Sequence, residues 1–227
     1  MQGRFSEAEM LTLQRVGNNR LFEDGNVRTL HGLGLLSHIY VLDPQRVFEA
    51  EKLHLWILRY HESRLGTSHI ETISARQNLA FLYFRYHRFK EAEKQQHQVL
   101  NMRRIIFGID HHATLVSLVF LGRIYYNLMQ FSKSEQLLSQ SLRQLKCMFP
   151  PENPHVQGTM LSLAITHRAQ GQYMCWKRLM LELVEISKNS SGDEDPHTLA
   201  YVAHLEEGET FFQTEAEIIP ELEGGLQ

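Results

Sequence analysis

Thirteen histidines and two cysteines are the side chains of this sequence best suited to metal or redox chemistry. His111 and His112 are the only adjacent histidines, and no Cys or carboxylate recurs at the spacing of metal ligands. Cys147 and Cys175 do not form a C-x-x-C pair, so we interpret them as structural cysteines of a reducing compartment. These residues predict no metal site and no disulfide scaffold.

Paired glutamates could act as acid–base catalysts, and three such pairs occur. They are Glu7 and Glu9, Glu49 and Glu51, and Glu91 and Glu93. Each pair falls in the first turn of a predicted helix, where the helix dipole stabilises negative charge, so we interpret them as helix-start residues. The sequence has no G-x-x-x-x-G-K-[ST] phosphate loop and no G-x-S-x-G nucleophile motif. We predict that the protein is not an enzyme and binds no cofactor.

Composition is that of a globular protein, with 43% hydrophobic residues. No apolar run reaches the roughly 20 residues of a membrane helix, and the N-terminus lacks an apolar signal core. We therefore predict a cytoplasmic location. The net charge of −3 argues against nucleic acid as a partner. Charge is unevenly distributed, because residues 188–227 carry −9 and the preceding 187 residues carry +6.

The pentapeptide that holds the glutamate pairs recurs every 42 residues. Its copies are FSEAE at 5–9, VFEAE at 47–51, FKEAE at 89–93, FSKSE at 131–135 and YMCWK at 173–177. A second landmark reads GTSHIET at 66–72, GIDHHAT at 108–114, PPENPHV at 150–156 and GDEDPHT at 192–198. A fixed period of 20–50 residues is typical of proteins built from stacked repeats.

Each repeat is predicted to contain two helices, because apolar residues recur at three- and four-residue spacing in two segments. In one repeat, helix A runs from near Ser74 to Tyr86 and helix B from near Phe89 to Phe107. All six prolines lie in predicted turns or after the last clear helix. A lone hairpin cannot bury its apolar stripe, whereas stacked hairpins bury it against each other.

The repeats predict an all-α array over residues 1–213, followed by an acidic C-terminal tail at 214–227. The predicted units are a half repeat at 1–26, repeats at 27–69, 70–111, 112–153 and 154–195, and a degenerate half repeat at 196–213. Because no helix A precedes the first helix B, we expect a fragment or shortened relative of a larger repeat-containing protein. Trp176 stands where the other repeats have Ala or Ser, so its repeat is expected to pack differently.

These residues resemble the tetratricopeptide repeat in its 42-residue, kinesin-light-chain-like form. The resemblance rests on NLAFLYFRYHRFKEAE at 78–93 and on the closing GIDHHAT and GDEDPHT. The repeats are also similar to the sensor arrays of fungal nucleotide-binding immune-type receptors. The resemblance implies a right-handed superhelical α-solenoid that binds peptides or proteins in a concave groove. The groove asparagine of kinesin light chains is matched only by Asn78.

The resemblance also implies which residues line the groove, since alternate turns of helix A face inward. The implied peptide-binding residues are Gln77, Asn78, Phe81, Arg85, Phe120, Arg123, Tyr126, Asn127 and Arg168. Aromatic and arginine side chains are the usual hot spots of protein interfaces. The three arginines favour an acidic peptide or protein partner, and we predict neither a nucleic acid nor a membrane as partner.

Two other functions stay open from the sequence. The exposed end repeats could stack on another copy, which would make the protein a structural self-assembly unit. A kinesin-light-chain-type cargo adaptor is the other alternative.

Overall fold

A computed structural model describes residue 40 and residues 43–208. The half repeat predicted at 1–26 and the acidic tail predicted at 214–227 lie outside these residues. So does most of helix A of the repeat predicted at 27–69. Within the described residues the secondary structure is helical and no strand occurs, which confirms the predicted all-α fold.

Eight α-helices follow one another through the described part of the chain. After a 3-10 turn at Pro44–Arg46 they are α1 (Val47–Leu65), α2 (Ile70–Arg85), α3 (Phe89–Phe107), α4 (His112–Asn127), α5 (Phe131–Met148), α6 (Pro154–Ala169), α7 (Tyr173–Ser191) and α8 (196–208). The even-numbered helices are A-type and the odd-numbered helices are B-type. Because α2, α4 and α6 each have 16 residues, the sequence period is also a structural period.

The A-type helices start with a repeated cap. The Nδ1 of His69 accepts from the backbone N–H of Glu71 at 3.2 Å, and His111 does the same for Ala113 at 3.1 Å. Oxygens of Asn153 and Asp195 make the equivalent bonds before α6 and α8. Such a cap satisfies one of the N–H groups that a helix start leaves unpaired. Helix A therefore begins at Ile70, four residues before the predicted Ser74.

The turns that end the B-type helices depend on glycine. Gly66, Gly108 and Gly192 have φ values of +87°, +90° and +90°, a conformation that side chains with a Cβ rarely adopt. Pro150 stands at the equivalent place after α5, and proline cannot take a positive φ. Helix α5 instead ends with Phe149 as its C-cap residue, in an extended conformation with φ −133°. The turn after α5 therefore differs in backbone conformation from the turns that contain Gly66, Gly108 and Gly192.

The chain forms two compact units, which divide after Ile106. In unit 1, a polar network surrounds Glu51 of α1. The Tyr83 hydroxyl donates to Glu51 at 2.9 Å, and Arg88 donates to the other carboxylate oxygen at 2.5 Å. Arg88 also stacks over the Tyr83 ring and pairs with Glu91 of α3 at 2.9 Å. Burial, with the bond to Glu51, raises the pKa of Tyr83 to about 12, so the phenol stays a neutral donor. This network ties α1, α2 and α3 together.

In unit 2, each helix from α4 to α7 packs against the next, and α4 also touches α6. The interior is apolar and close to fully buried. Its main side chains are Leu115, Ile124, Leu138, Leu145, Met160, Met180 and Leu183. Burial of such side chains is the main force that stabilises stacked hairpins.

The small residue of the repeated pentapeptide lies where helices meet. Ala92 and Ser134 are fully buried, and the Ser134 hydroxyl contacts that of Thr166 at 3.1 Å. Trp176 takes the same position in the next repeat and is only 2% exposed. It faces Gly208 of α8, where a Cβ would lie 2.0 Å from the indole ring. The expected difference in packing is thus accommodated by a glycine 32 residues further along the chain.

Candidate protein-binding surface

The predicted groove residues are divided between the two units. In unit 1, α2 carries Gln77, Asn78, Phe81 and Arg85, which are spaced so that they share one face of the helix. Asn78 and Arg85 are exposed, Gln77 is half-buried, and Phe81 is 45% exposed. The structure therefore leaves this face of α2 accessible to solvent.

Arg103 of α3 was not predicted as part of this surface. Its guanidinium donates to the Gln77 amide oxygen at 3.4 Å, which places a second arginine, half-buried, beside the α2 face. Burial lowers the pKa of Arg103, although an arginine remains charged at neutral pH. The sequence could have indicated Arg103, because a charged residue stands there where the later repeats have Leu145 and Ser187.

In unit 2, α4 carries Phe120, Arg123, Tyr126 and Asn127 on one face. Arg123 is exposed, and the other three are half-buried. Two of them already have intramolecular roles. Tyr126 packs against Phe131 with ring centroids 5.6 Å apart, and the Asn127 amide donates to the Arg123 carbonyl at 2.8 Å.

Arg168 is half-buried near the end of α6, the next A-type helix. Because α4 and α6 touch directly, the arginines belong to neighbouring helices of one unit. Arg123 is the only Asp, Glu, Lys or Arg residue of α4. Arg168 is the only such residue of α6. Neither helix contains an Asp or Glu residue. We call the side chains of Phe120, Arg123, Ile165 and Arg168 the cationic face.

Arg123 is exposed to solvent, and desolvation by the neighbouring protein lowers the pKa of its guanidinium. The guanidinium nevertheless stays cationic at neutral pH.

In the described part of the chain, no group of three or more His, Cys, Asp or Glu side chains could hold a metal ion. Nor does that part contain a helix long and apolar enough to cross a membrane. His112 and His155 do approach each other, with ring centroids 4.6 Å apart, and His112 also packs against the ring of Phe149.

Comparison with known proteins identifies the repeats. Residues 77–146 match the family model of the tetratricopeptide repeat. No curated protein sequence matches the chain. Among solved structures, a kinesin light chain-type protein of Podosopora anserina, with nearly identical TPR-like repeats, superposes with a TM-score of 0.71. It shares 23% identity, over 86% of this chain and 92% of the other.

Two further structures have the same fold. BtubC (BKLC) from P. vanneervenii has a TM-score of 0.67 and 15% identity, with 99% of this chain and 91% of that one covered. The apo form of RapI has a TM-score of 0.66 and 13% identity, over 90% and 77%. None of these structures concerns fungal nucleotide-binding receptors, so that part of the resemblance stays a prediction. Residues 77–146 therefore match the tetratricopeptide repeat, and the chain has the fold of kinesin-light-chain-like repeat structures.

Proposed function

We propose that this repeat scaffold binds a peptide segment of a partner protein on its A-type helices, and that the cationic face of unit 2 is the principal contact. The observation that carries the proposal is the charge of α4 and α6, because Arg123 and Arg168 belong to helices that contain no Asp or Glu. Phe120 and Ile165, each three residues before one of the arginines on the same helix, supply half-buried apolar surface beside them.

The chemistry of this face favours an acidic segment with apolar side chains. Guanidinium groups bind carboxylates through paired hydrogen bonds, which are stronger than those between neutral groups. An apolar side chain placed between two such contacts adds buried area, and arginine and aromatic residues commonly dominate binding energy. The α2 face, with Arg85, Phe81 and Arg103, offers the same combination in unit 1.

Selection of displayed peptides would test this proposal. The wild-type chain should enrich sequences that combine Asp or Glu with Leu, Ile or Phe. The variant Arg123→Gln with Arg168→Gln should lose that enrichment. The control Arg143→Gln with Arg178→Gln removes the same charge from exposed sites on the B-type helices α5 and α7 and should behave like the wild type. Equal selection by all three proteins would refute the proposal.

A kinesin-light-chain-type adaptor is a second candidate, favoured by the structural similarity to a kinesin light chain-type protein. Asn78, the match to the family's groove asparagine, is exposed on α2, but Phe120 and Ser162 occupy the equivalent places on α4 and α6. Selected peptides that contact only the α2 face would favour this candidate over the cationic face.

A further inference from the structure

We propose that the chain's own acidic segment, residues 209–227, occupies the cationic face of α4 and α6 in the absence of a partner. The proposal rests on the proposed function of that face and adds an internal competitor to it. Residues 209–227 carry five glutamates and no Lys, Arg or His. Phe211, Phe212, Ile218 and Ile219 lie between those glutamates. The segment thus has the composition that the face favours.

The described end of the array supports this proposal. Gly208 is one period of 42 residues after Thr166, which is two positions before Arg168 in α6. Helix α8 is A-type like α4 and α6, and it is fixed to α7 through Trp176 and Gly208 and through the hydroxyls of Ser187 and Thr198, 2.7 Å apart. Gly208, after which the segment follows in the sequence, is therefore at the same end of its A-type helix as Arg168 is of α6.

The distances that the segment must span are short. Neighbouring helices pack about 8–10 Å apart, so Arg168 and Arg123 lie roughly one and two such steps from α8. An extended chain covers about 3.3–3.6 Å per residue, and 19 residues follow Gly208. The length is ample for contact with both arginines. Tethering can give such a segment an effective concentration in the millimolar range, so weak attraction suffices.

Charge within unit 2 also directs the segment toward this face. Glu206 and Glu207 end α8, and Asp193, Glu194 and Asp195 precede it, so the A-type helix nearest the segment is itself acidic. The B-type helices α5 and α7 have mixed charge, as the 2.6 Å pair of Lys146 and Glu182 illustrates. Only α4 and α6, among the helices described in unit 2, carry positive charge without acidic side chains.

Paramagnetic relaxation in the full chain would test the proposal without any added ligand. A nitroxide is attached at Gly225→Cys after Cys147→Ser and Cys175→Ser. We expect amide signals around Phe120, Arg123 and Arg168 to lose most of their intensity, while those around Arg143 and Arg178 keep it. The loss should reverse in about 1 M NaCl, where the screening length is about 3 Å.

Two variants and one mixture decide the interpretation. Changing the five glutamates of residues 209–227 to Gln should restore the signals, and so should Arg123→Gln with Arg168→Gln, whereas Arg143→Gln with Arg178→Gln should not. Circular dichroism checks that each variant is folded. Undiminished signals in the labelled wild type at low salt would overturn the proposal.

The mixture contains isotope-labelled chains without nitroxide and unlabelled chains with it. Signal loss there would show that the segment reaches a second copy, which also overturns the intramolecular proposal. Because the peptide selection uses external ligands and the relaxation measurement uses none, failure of this inference and failure of the proposed function can be told apart.

Discussion

Gly122 and Gly158 both lie inside A-type helices, but only Gly122 faces another helix. A Cβ on Gly122 would lie 2.9 Å from Cγ of Leu138, whereas a Cβ on Gly158 would meet no atom within 4 Å. Alanine in place of a helical glycine stabilises by about 0.5–1 kcal/mol when space allows. The two positions therefore separate helix propensity from packing.

We expect Gly158→Ala to raise the melting temperature and Gly122→Ala to lower it. At Gly122 the propensity gain is outweighed by displacement of Leu138 in a fully buried contact, which costs about 1–3 kcal/mol. Thermal unfolding followed by circular dichroism measures both. An equal rise in the two variants would mean that α4 and α5 are further apart than the structure shows.

His61 should make stability depend on pH. Its Nδ1 is buried without a hydrogen-bond partner, and desolvation lowers the pKa of the imidazole below its ordinary value of 6.5. The unfolded chain then binds a proton more readily than the folded chain, so the free energy of unfolding falls as pH falls through about 6.5.

His61→Gln should weaken this pH dependence, measured by urea unfolding between about pH 7.5 and pH 5.5. His97→Gln, which changes an exposed histidine of α3, serves as the control. A wild-type slope that the His61 variant leaves unchanged would contradict the assignment.

Single residues of the packing were partly predictable. The buried Ala92 and Ser134 follow from the repeated pentapeptide, because a period identifies positions that share an environment. The contact of Trp176 with Gly208 could not be predicted, because Gly208 belongs to the next repeat. Which small residue makes room for a large one depends on both residues and on the packing between them. Arg103 was missed for the related reason that its contact with Gln77 joins two helices.

At the scale of the helix, the caps explain why α2 begins earlier than the sequence predicts. Helix A was predicted from near Ser74 because apolar periodicity is clear only from there, yet α2 begins at Ile70 behind the His69 cap. Histidine is not among the preferred N-cap residues, so its role was not evident from residue type. Asn153 and Asp195, which cap α6 and α8, are of the preferred type.

Replacing the histidine cap should stabilise α2. We expect His69→Asp to raise the free energy of unfolding by about 0.5–1 kcal/mol, because a carboxylate is a better acceptor and complements the helix dipole. The reciprocal change Asn153→His should lower it. Urea unfolding at neutral pH measures both variants. Opposite signs from those expected would show that these side chains do not act as caps.

The contact between α5 and α6 includes a buried hydrogen bond. Thr166 donates to the Ser162 carbonyl at 2.8 Å, so Ser134 is the donor in the 3.1 Å contact between the two hydroxyls. Ser134→Ala and Thr166→Val should each destabilise by about 1 kcal/mol. The double variant should cost less than the sum by about 0.5 kcal/mol or more, because the residues share one interaction. Additive effects would contradict the contact.

At the scale of the whole molecule, the period of 42 residues predicted the fold class, since each hairpin needs its neighbours to bury its apolar face. The function could be predicted only in part, because a fold does not name a ligand. The arginines of the surface were found from the resemblance to tetratricopeptide repeats. That α4 and α6 contain no Asp or Glu follows from the helix bounds, which only the structure gives.

Chemical-shift mapping with a selected acidic peptide tests the central claim most directly. Titration of the isotope-labelled chain should shift amide signals of α4 and α6 around Phe120, Arg123 and Arg168. Signals around Arg143 and Arg178 on the B-type helices should stay in place. Shifts confined to the B-type helices, or to α8 at the end of the described array, would show that the partner binds elsewhere and would contradict the account.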